Sequence, residues 1–233
     1  MKKIKIGYDD NLGLPADFTQ QIECEIVSYH NLQPMLDAFA DKVLDAIFTP
    51  AGSLPYVKSY ELLAQSILSI DHGISLTSKL VTTKNINVSK IMDFTIGRVN
   101  QYCTTSYWAP LIYLMDFIPE GSKLNFVDTN GFVDMLDKTA NGAIDCAMVW
   151  EIILKQDPQS AAKVHELGSL SNLPSPVIIC GADFPASTKE KICHFNSTDK
   201  KAFFSGFQNV NVESVNQYTD NIAKAIQFYN IKL

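Results

Sequence analysis

A short run of hydroxyl and thiol side chains precedes a helix-like segment in the middle of the chain: Cys103, Thr104, Thr105 and Ser106. The residues before it (94–99) are typical of a strand, and apolar residues follow it at helical spacing. The first N–H groups of a helix have no acceptor within the helix, and the helix dipole favours negative charge beside them. The run therefore predicts an anion-binding site, to which the hydroxyl groups donate further hydrogen bonds. Ordinary N-capping, which needs only one Ser or Thr, is the alternative.

Pro110 disturbs the start of this helix. Proline has no backbone N–H, and its ring clashes with the carbonyl of the residue four positions earlier. If Ser106 caps the helix, Pro110 removes the first intrahelical hydrogen bond. An irregular first turn, which leaves more amides for a ligand, is one way to accommodate the proline.

A sequence repeat surrounds this site. Residues 35–50 (MLDAFADKVLDAIFTP) and 135–150 (MLDKTANGAIDCAMVW) are offset by 100 and identical at five of sixteen positions. Each copy has the pattern of an amphipathic helix, a polar turn, an Asp and a short apolar strand. The repeat predicts two similar α/β lobes with a cleft for a small molecule. Chance similarity of two generic helix–strand segments is the alternative.

Hydrophobic patterning predicts the elements that position the site. Strands are expected at 2–8, 23–29, 46–49, 73–83, 94–99, 123–127, 145–149 and 175–181. Helices are expected at 31–42 (capped by Asn31), 106–117, 131–140 and 211–229. The alternation of strands and helices indicates the α/β fold class, with parallel sheets and right-handed crossovers.

The domain boundaries follow from the long strands. No low-complexity linker separates the lobes, so 73–83 and 175–181 are the expected crossovers. Lobe one is predicted to comprise residues 1–80 and 180–233, and lobe two residues 81–179. A single α/β domain is the alternative.

Further candidate ligand-binding residues follow the predicted strands, because ligands of open α/β sheets lie at the carboxyl ends of strands. In the first lobe they are Tyr8, Pro50 and Ser53. In the second lobe Phe132 and Trp150 accompany the 103–106 run. The register of the repeat makes Pro50 equivalent to Trp150, so both lobes offer matching loops to one cleft.

Several charged residues have two interpretations each. Arg98, the only arginine, either neutralises a ligand or pairs with an acid on the surface, and we favour the surface pair. His30 and His72 lie near predicted strand ends, where a lone histidine is more often a hydrogen-bonded structural residue than a ligand-binding one. Asp9 and Asp10 either bind an amine or face solvent.

Composition limits the classes of function. The net charge of −6 argues against non-specific nucleic-acid binding, and no apolar run is long enough to insert into a membrane. The five cysteines are odd in number and lie mostly in apolar runs, which predicts free thiols and no disulfides, as in a reducing compartment. No nucleotide-binding glycine motif and no metal-ligand spacing is present, so no cofactor or metal is predicted.

Three segments are similar to one known family. The segment VNQYCTTSYWAPLIYL (99–114) resembles the second-lobe motif of the phosphate, phosphite and phosphonate solute-binding proteins of ABC importers, which runs roughly Ser-Thr-Ser-Gly-Tyr with a later Pro. Residues 44–57 and 138–150 resemble the family's Asp-Ala segments in its first and second lobes. The resemblance implies a two-lobed type 2 periplasmic-binding-protein fold with a central cleft that closes on ligand. It also implies an ABC permease as a possible partner.

The chain departs from the family at the ligand. Phosphonate-binding members have a His and an acid where this chain has Phe132 and Trp150, and Cys103 replaces the first Ser of the motif. The resemblance with these departures predicts a small anionic ligand that has an aromatic or apolar body.

Three functions follow, and the favoured one is a non-catalytic solute-binding protein. A cytosolic enzyme on the same fold, of the menaquinone- or thiamine-pathway type, is the alternative, in which Cys103 and His30 would be catalytic. A ligand-sensing module that binds a partner protein is the third. The resembled family is exported, yet the chain as written begins without a signal peptide, so it is either cytoplasmic or trimmed of its signal.

Overall fold

A computed structural model describes residues 3–233 as a mixed α/β protein. Its strands are β1 (Ile4–Asp9), β2 (Cys24–Tyr29), β3 (Ala46–Thr49), β4 (Glu61–Leu68), β5 (Ser75–Thr82), β6 (Thr95–Arg98), β7 (Asn125–Asp128), β8 (Cys146–Trp150), β9 (His165–Pro174), β10 (Val177–Cys180) and β11 (Phe204–Gln208). Each strand predicted from the sequence is present with bounds close to those expected, except that Lys2, at the start of the first predicted strand, lies outside the described residues. The patterning missed β4, β9 and β11.

The helices flank these strands along the chain. They are α1 (Phe18–Gln21), α2 (Leu32–Ala40), α3 (Ala109–Leu114), α4 (Phe132–Ala140), α5 (Glu151–Gln156), α6 (Pro158–Ala161), α7 (Ala186–Cys193) and α8 (Val212–Tyr229). Two 3₁₀ helices (Ala51–Tyr56 and Val88–Asp93) and one π-helix (Thr104–Trp108) complete the set. Within residues 3–233, none of the helices combines the length and apolar character needed to cross a membrane.

The chain divides into two compact units. Unit 1 comprises the residues up to Ile74 together with Pro174–Val215, and unit 2 comprises Ser75–Leu173 together with Asn216–Leu233. This division differs from the expected one, which gave residues 75–80 and the whole final helix to lobe one and residues 174–179 to lobe two. The difference has a physical reason, because β5 pairs along β8, and Tyr218 and Tyr229 of α8 donate hydrogen bonds to the Thr104 and Leu111 carbonyls of unit 2.

Each unit contains one mixed sheet. The sheet of unit 1 has the strand order β11-β4-β10-β3-β1-β2, and that of unit 2 has the order β7-β6-β8-β5-β9. The predicted parallel pairing holds for β2-β1-β3 and for β7-β6-β8. The two strands expected at the crossovers run in the opposite direction, since β10 is antiparallel to β3 and β5 is antiparallel to β8.

The sequence repeat is a structural repeat. Its two copies place β3 and β8 in different sheets, as two lobes require. Helices α2 and α4 end in the same way, with left-handed backbone at Lys42 (φ 58°) and Gly142 (φ 76°). The residue that follows then donates its N–H to a carbonyl five positions earlier, Val43 to Ala38 and Ala143 to Lys138, each at 2.9 Å. This hydrogen bond closes the end of each helix.

The likeness extends to β1 and β6, each of which is second from an edge of its sheet. Met35 packs over Gly7 of β1, and Met135 packs over Gly97 of β6. A Cβ atom at Gly97 would lie 2.8 Å from Met135 Cγ, and one at Gly7 would lie 3.2 Å from Met35 Cγ. Each glycine therefore allows a close approach of helix to strand.

The five cysteines are free thiols in this part of the chain (residues 3–233). Cys24, Cys146 and Cys180 are buried in strands, as predicted from their apolar surroundings. Burial raises the pKa of Cys146 to about 12 and the pKa values of Cys24 and Cys180 to about 11. These three thiols therefore behave as small apolar core groups.

Candidate functional site

The anion-binding segment predicted from the sequence forms an irregular helix start in unit 2. A π-helix over Thr104–Trp108 leads directly into α3, so the helical segment begins two residues before Ser106. Trp108 donates its N–H to the Cys103 carbonyl at 3.2 Å, and Ala109 donates its N–H to the Thr104 carbonyl. Both bonds join residues five apart. The irregular turn predicted from Pro110 is confirmed.

Cys103, and not Ser106, is the N-cap of this helix. The backbone at Cys103 is extended, and its Sγ accepts the N–H of Ser106 at 3.4 Å. The hydroxyl of Thr105 lies 3.5 Å from the same sulfur. The thiol thus caps the helix, as a weaker acceptor than a hydroxyl group. Ser106 instead accepts the N–H of Val99 through its Oγ at 3.0 Å, and so anchors the loop after β6.

The whole run is buried. Thr104 and Thr105 are 3% exposed, Ser106 is fully buried, and Cys103 is 8% exposed. A hydrogen bond formed inside the protein is electrostatically stronger than one in water, so the bonds that these buried polar groups make are strong.

Two buried hydroxyl groups that the sequence analysis missed hold the carbonyls of this turn. Ser78 of β5 donates its hydroxyl to the Thr105 carbonyl at 3.0 Å, and Tyr218 of α8 donates its hydroxyl to the Thr104 carbonyl at 3.3 Å. Burial raises the pKa of Tyr218 well above its usual value, so this side chain stays a neutral donor. Tyr218 stood at helical spacing in the tail, but nothing in the sequence linked it to residue 104.

The two aromatic candidates of unit 2 lie at element ends. Trp150, the last residue of β8, is 9% exposed and is paired in register with Ser78. Ser78 of β5 thus lies beside Trp150 at the end of β8 and also donates its hydroxyl to Thr105 of the π-helix. The end of β8 and the π-helix are themselves in contact. Phe132 is half-buried and begins α4, directly after Gly131 at φ 102°.

The candidates of unit 1 lie on and after β1 and β3. Tyr8 is half-buried in β1, and Pro50 is buried just after β3. Ser53 is fully buried, and its hydroxyl donates to the Pro50 carbonyl at 2.8 Å and lies 2.7 Å from the Thr49 hydroxyl. These bonds stabilise the 3₁₀ helix over Ala51–Tyr56, so the Ser53 hydroxyl already has a structural role.

Asp9 departs from the solvent-facing interpretation. It ends β1 with 3% exposure, and its Oδ1 accepts the backbone N–H of Asn11 at 3.0 Å and the Asn11 side chain at 2.9 Å. Burial raises the pKa of Asp9, and the bonds from Asn11 oppose that rise. Asp9 is therefore a carboxylate whose charge unit 1 solvates poorly.

Arg98 is engaged by an acid, as favoured from the sequence. Its Nε donates to Asp128 Oδ1 at 2.6 Å across the β6–β7 pair, and its guanidinium lies 5.2 Å from the ring centre of Tyr107. His30 is exposed and pairs with Asp10, with 2.5 Å between Nδ1 and Oδ2. His72 is exposed and has left-handed backbone (φ 57°).

Other features lie apart from these candidates. A cavity of about 730 Å³ in unit 1 borders Ile4 and Asp45, at the amino ends of β1 and β3, and none of the predicted site residues lines it. Among the residues described, no cluster of three or more His, Cys, Asp and Glu side chains is arranged to hold a metal ion.

Comparison by sequence gives no relatives, since no protein-family model and no curated protein matches the chain. Comparison of structures is informative. The Xanthomonas citri protein XAC2383 bound to ATP matches with a TM-score of 0.74 at 10% identity, over 97% of this chain and 98% of that one. The binding protein component PA3383 of an ABC phosphonate transporter from Pseudomonas aeruginosa matches with a TM-score of 0.72 at 12% identity, over 95% of this chain and 86% of that one. PhnD1 from Prochlorococcus marinus, in complex with methylphosphonate, matches with a TM-score of 0.71 at 13% identity, over 97% of this chain and 99% of that one.

These likenesses establish the fold. At such low identity they carry no residue roles across, because one fold hosts many functions. The α/β architecture and the pair of sheets predicted from the sequence are those of the two-lobed periplasmic-binding-protein-like fold.

Proposed function

We propose that this chain is a non-catalytic binding protein for a small anionic solute, and that Cys103, Thr104, Thr105 and Ser106 form its anion site. The observation that carries the proposal is the buried π-helix start, where hydroxyl side chains and backbone amides meet at the carboxyl end of β6. An ABC permease is the partner that this function implies.

The ligands of similar proteins support an anion. XAC2383 is described with ATP and PhnD1 with methylphosphonate, and both ligands carry anionic phosphorus–oxygen groups. ATP also carries a ring system, so at least one protein of this fold binds an anion with an aromatic body. That combination is the ligand class expected here.

The chemistry of the site favours neutral donors over a cation. Arg98 is committed to Asp128, so the anion would be held by hydroxyl and N–H groups and by the helix dipole. A hydrogen bond to a charged ligand contributes about 1.5–3 kcal/mol. Phe132 and Trp150 would contact the apolar body of the ligand.

Calorimetric titration of a small panel tests this function. The panel is inorganic phosphate, methylphosphonate, phenylphosphonate and ATP, applied to the wild type and to the double variant Thr104→Ala/Thr105→Ala. We expect phenylphosphonate or ATP to bind more tightly than methylphosphonate, and the double variant to lose at least about tenfold in affinity.

The matched control is Thr139→Ala. Thr139 is a fully buried threonine of unit 2 whose hydroxyl bonds the Met135 carbonyl at 2.8 Å within α4. Thr139→Ala removes a buried hydroxyl group that lies outside the proposed site, so the affinity for each probe is expected to be unchanged. If the double variant binds every probe as the wild type does, the helix start is a cap and nothing more.

A further inference from the structure

The π-helix creates a bonding problem at Thr105. In this turn carbonyls accept from N–H groups five residues on, as Thr104 does from Ala109 and Cys103 does from Trp108, while the Cys103 carbonyl also accepts the N–H of Tyr107, four residues on. By the same pattern the Thr105 carbonyl needs the N–H of residue 110. That residue is Pro110, which has none. A buried carbonyl without a donor is costly, so another group has to supply the bond.

Ser78 is placed to supply it. Its hydroxyl lies 3.0 Å from the Thr105 carbonyl, and both residues are buried. In an ordinary α-helical turn the carbonyl left without a donor by Pro110 would be that of Ser106, four residues earlier. The hydroxyl of Ser78 therefore fits the π register and not the α register.

Tyr218 supports the same turn from a different element. Its side chain is buried, and its hydroxyl donates to the Thr104 carbonyl, which also accepts the N–H of Ala109. The two carbonyls at the start of the turn are thus held by side chains that are 27 and 114 residues away along the chain.

We propose that Ser78 and Tyr218 are positioning residues that hold the first turn in its π geometry, with Ser78 replacing the donor that Pro110 lacks. In that geometry the N–H groups of Thr104 and Thr105 and the hydroxyl groups of Thr104–Ser106 take the orientation in which they meet an anion. The part of the inference that concerns the anion rests on the proposed function.

A double-mutant cycle tests the role of Ser78 without any ligand. Ser78→Ala is made in the wild type and in Pro110→Ala, and the urea midpoint is measured for all four proteins. Because Pro110→Ala restores an N–H at position 110, we expect Ser78→Ala to lower the midpoint in the wild type and to lose at least about half of that effect in Pro110→Ala. Equal effects in the two backgrounds would overturn the inference.

A pair of tyrosine variants tests the positioning of the site. Tyr218→Phe removes the bond to Thr104, and Tyr229→Phe removes a comparable bond from α8 to the Leu111 carbonyl of α3, at 2.9 Å. Both are expected to lower the urea midpoint. Only Tyr218→Phe and Ser78→Ala are expected to weaken phenylphosphonate binding, by about tenfold. Equal loss of affinity in Tyr218→Phe and Tyr229→Phe would contradict a specific role.

The two proposals fail separately. If phenylphosphonate does not bind the wild type, or if Thr104→Ala/Thr105→Ala binds it normally, the proposed function is wrong. The coupling between Ser78 and Pro110 still decides in that case whether Ser78 holds the π turn.

Discussion

Asp145 and Thr95 are joined by three hydrogen bonds where the parallel strands β6 and β8 begin. Oδ2 of Asp145 accepts the N–H and the hydroxyl of Thr95, each at 2.7 Å, and the Asp145 N–H returns a bond to the same hydroxyl at 3.0 Å. Lys84 pairs with the other carboxylate oxygen. In unit 1 the equivalent Asp45 accepts the N–H of Lys5 at 2.8 Å, where β1 begins. The Asp shared by the two copies of the internal repeat thus joins neighbouring parallel strands at their amino ends in both units.

Asp145→Asn is expected to destabilise the protein more than Asp45→Asn does. The Asp145 carboxylate accepts the N–H and the hydroxyl of Thr95 and pairs with Lys84, and a hydrogen bond to a charged group contributes about 1.5–3 kcal/mol, so the loss at Asp145 should exceed the loss at Asp45 by about one such bond. Urea unfolding at pH 7 measures both. Equal losses would show that the extra bonds of Asp145 contribute nothing.

The contribution of Asp145 should also depend on pH. Burial disfavours its charge, but the bonds from Lys84 and Thr95 outweigh burial and lower its pKa below the usual 3.8. A lowered pKa adds stability that is complete above the unfolded-state pKa and is lost as the pH falls through the folded-state pKa. The difference in unfolding free energy between the wild type and Asp145→Asn should therefore shrink below about pH 4. A constant difference down to pH 2 would contradict this assignment.

Gly97→Ala should destabilise unit 2 by about 1–3 kcal/mol, because the new methyl group overpacks the contact between β6 and Met135. The added Cβ would lie 2.8 Å from Met135 Cγ and 3.4 Å from Ala147 Cβ. Met135→Ala should relieve part of the cost in the double variant, which thermal or urea unfolding measures.

Gly181→Ala is the matched control for this substitution, since no atom lies within 4 Å of its added Cβ. It should be neutral or slightly stabilising. A loss at Gly181 as large as the loss at Gly97 would show that backbone freedom, and not packing, is the reason.

The buried cysteines should resist alkylation. With a pKa of about 12, Cys146 is thiolate in a fraction on the order of 10⁻⁴ at pH 8, and burial also blocks access. Peptide mass spectrometry after iodoacetamide treatment should show Cys24, Cys146 and Cys180 modified only after denaturation, and the half-buried Cys193 modified earlier. Denaturation without reductant should yield five labels, and fewer would reveal a disulfide.

Trp150→Ala and Phe132→Ala should weaken binding of phenylphosphonate more than binding of methylphosphonate. The two ligands share the anionic group and differ in the ring, so the ratio of their affinities separates ring contacts from general damage to the fold. Loss of a ring contact is expected to change this ratio by about tenfold. Tight methylphosphonate binding with an unchanged ratio in both variants would show that neither aromatic residue meets the ligand.

Local sequence patterns determined much of this protein. Helices α2 and α4 and strands β3 and β8 were predictable because their periodicity and turn residues lie within about sixteen adjacent positions. The irregular turn was predictable from Pro110 alone, since a missing N–H is a covalent property. Strand β4 escaped prediction because the fully buried Gln65 and Ser66 interrupt its apolar pattern, and their partners are distant residues such as Asn211 and Pro176.

Only the tertiary structure decided how the turn at Thr104 is held. The sequence indicated that Pro110 withholds a donor, but not that Ser78 and Tyr218 bond the Thr105 and Thr104 carbonyls. It also did not indicate that Cys103 is the cap or that β5 and β10 run antiparallel to their neighbours. The physical reason is the separation along the chain between the residues that interact. Steric and hydrogen-bonding constraints within one turn are properties of neighbouring residues, whereas a donor from another strand or helix depends on how the whole chain packs.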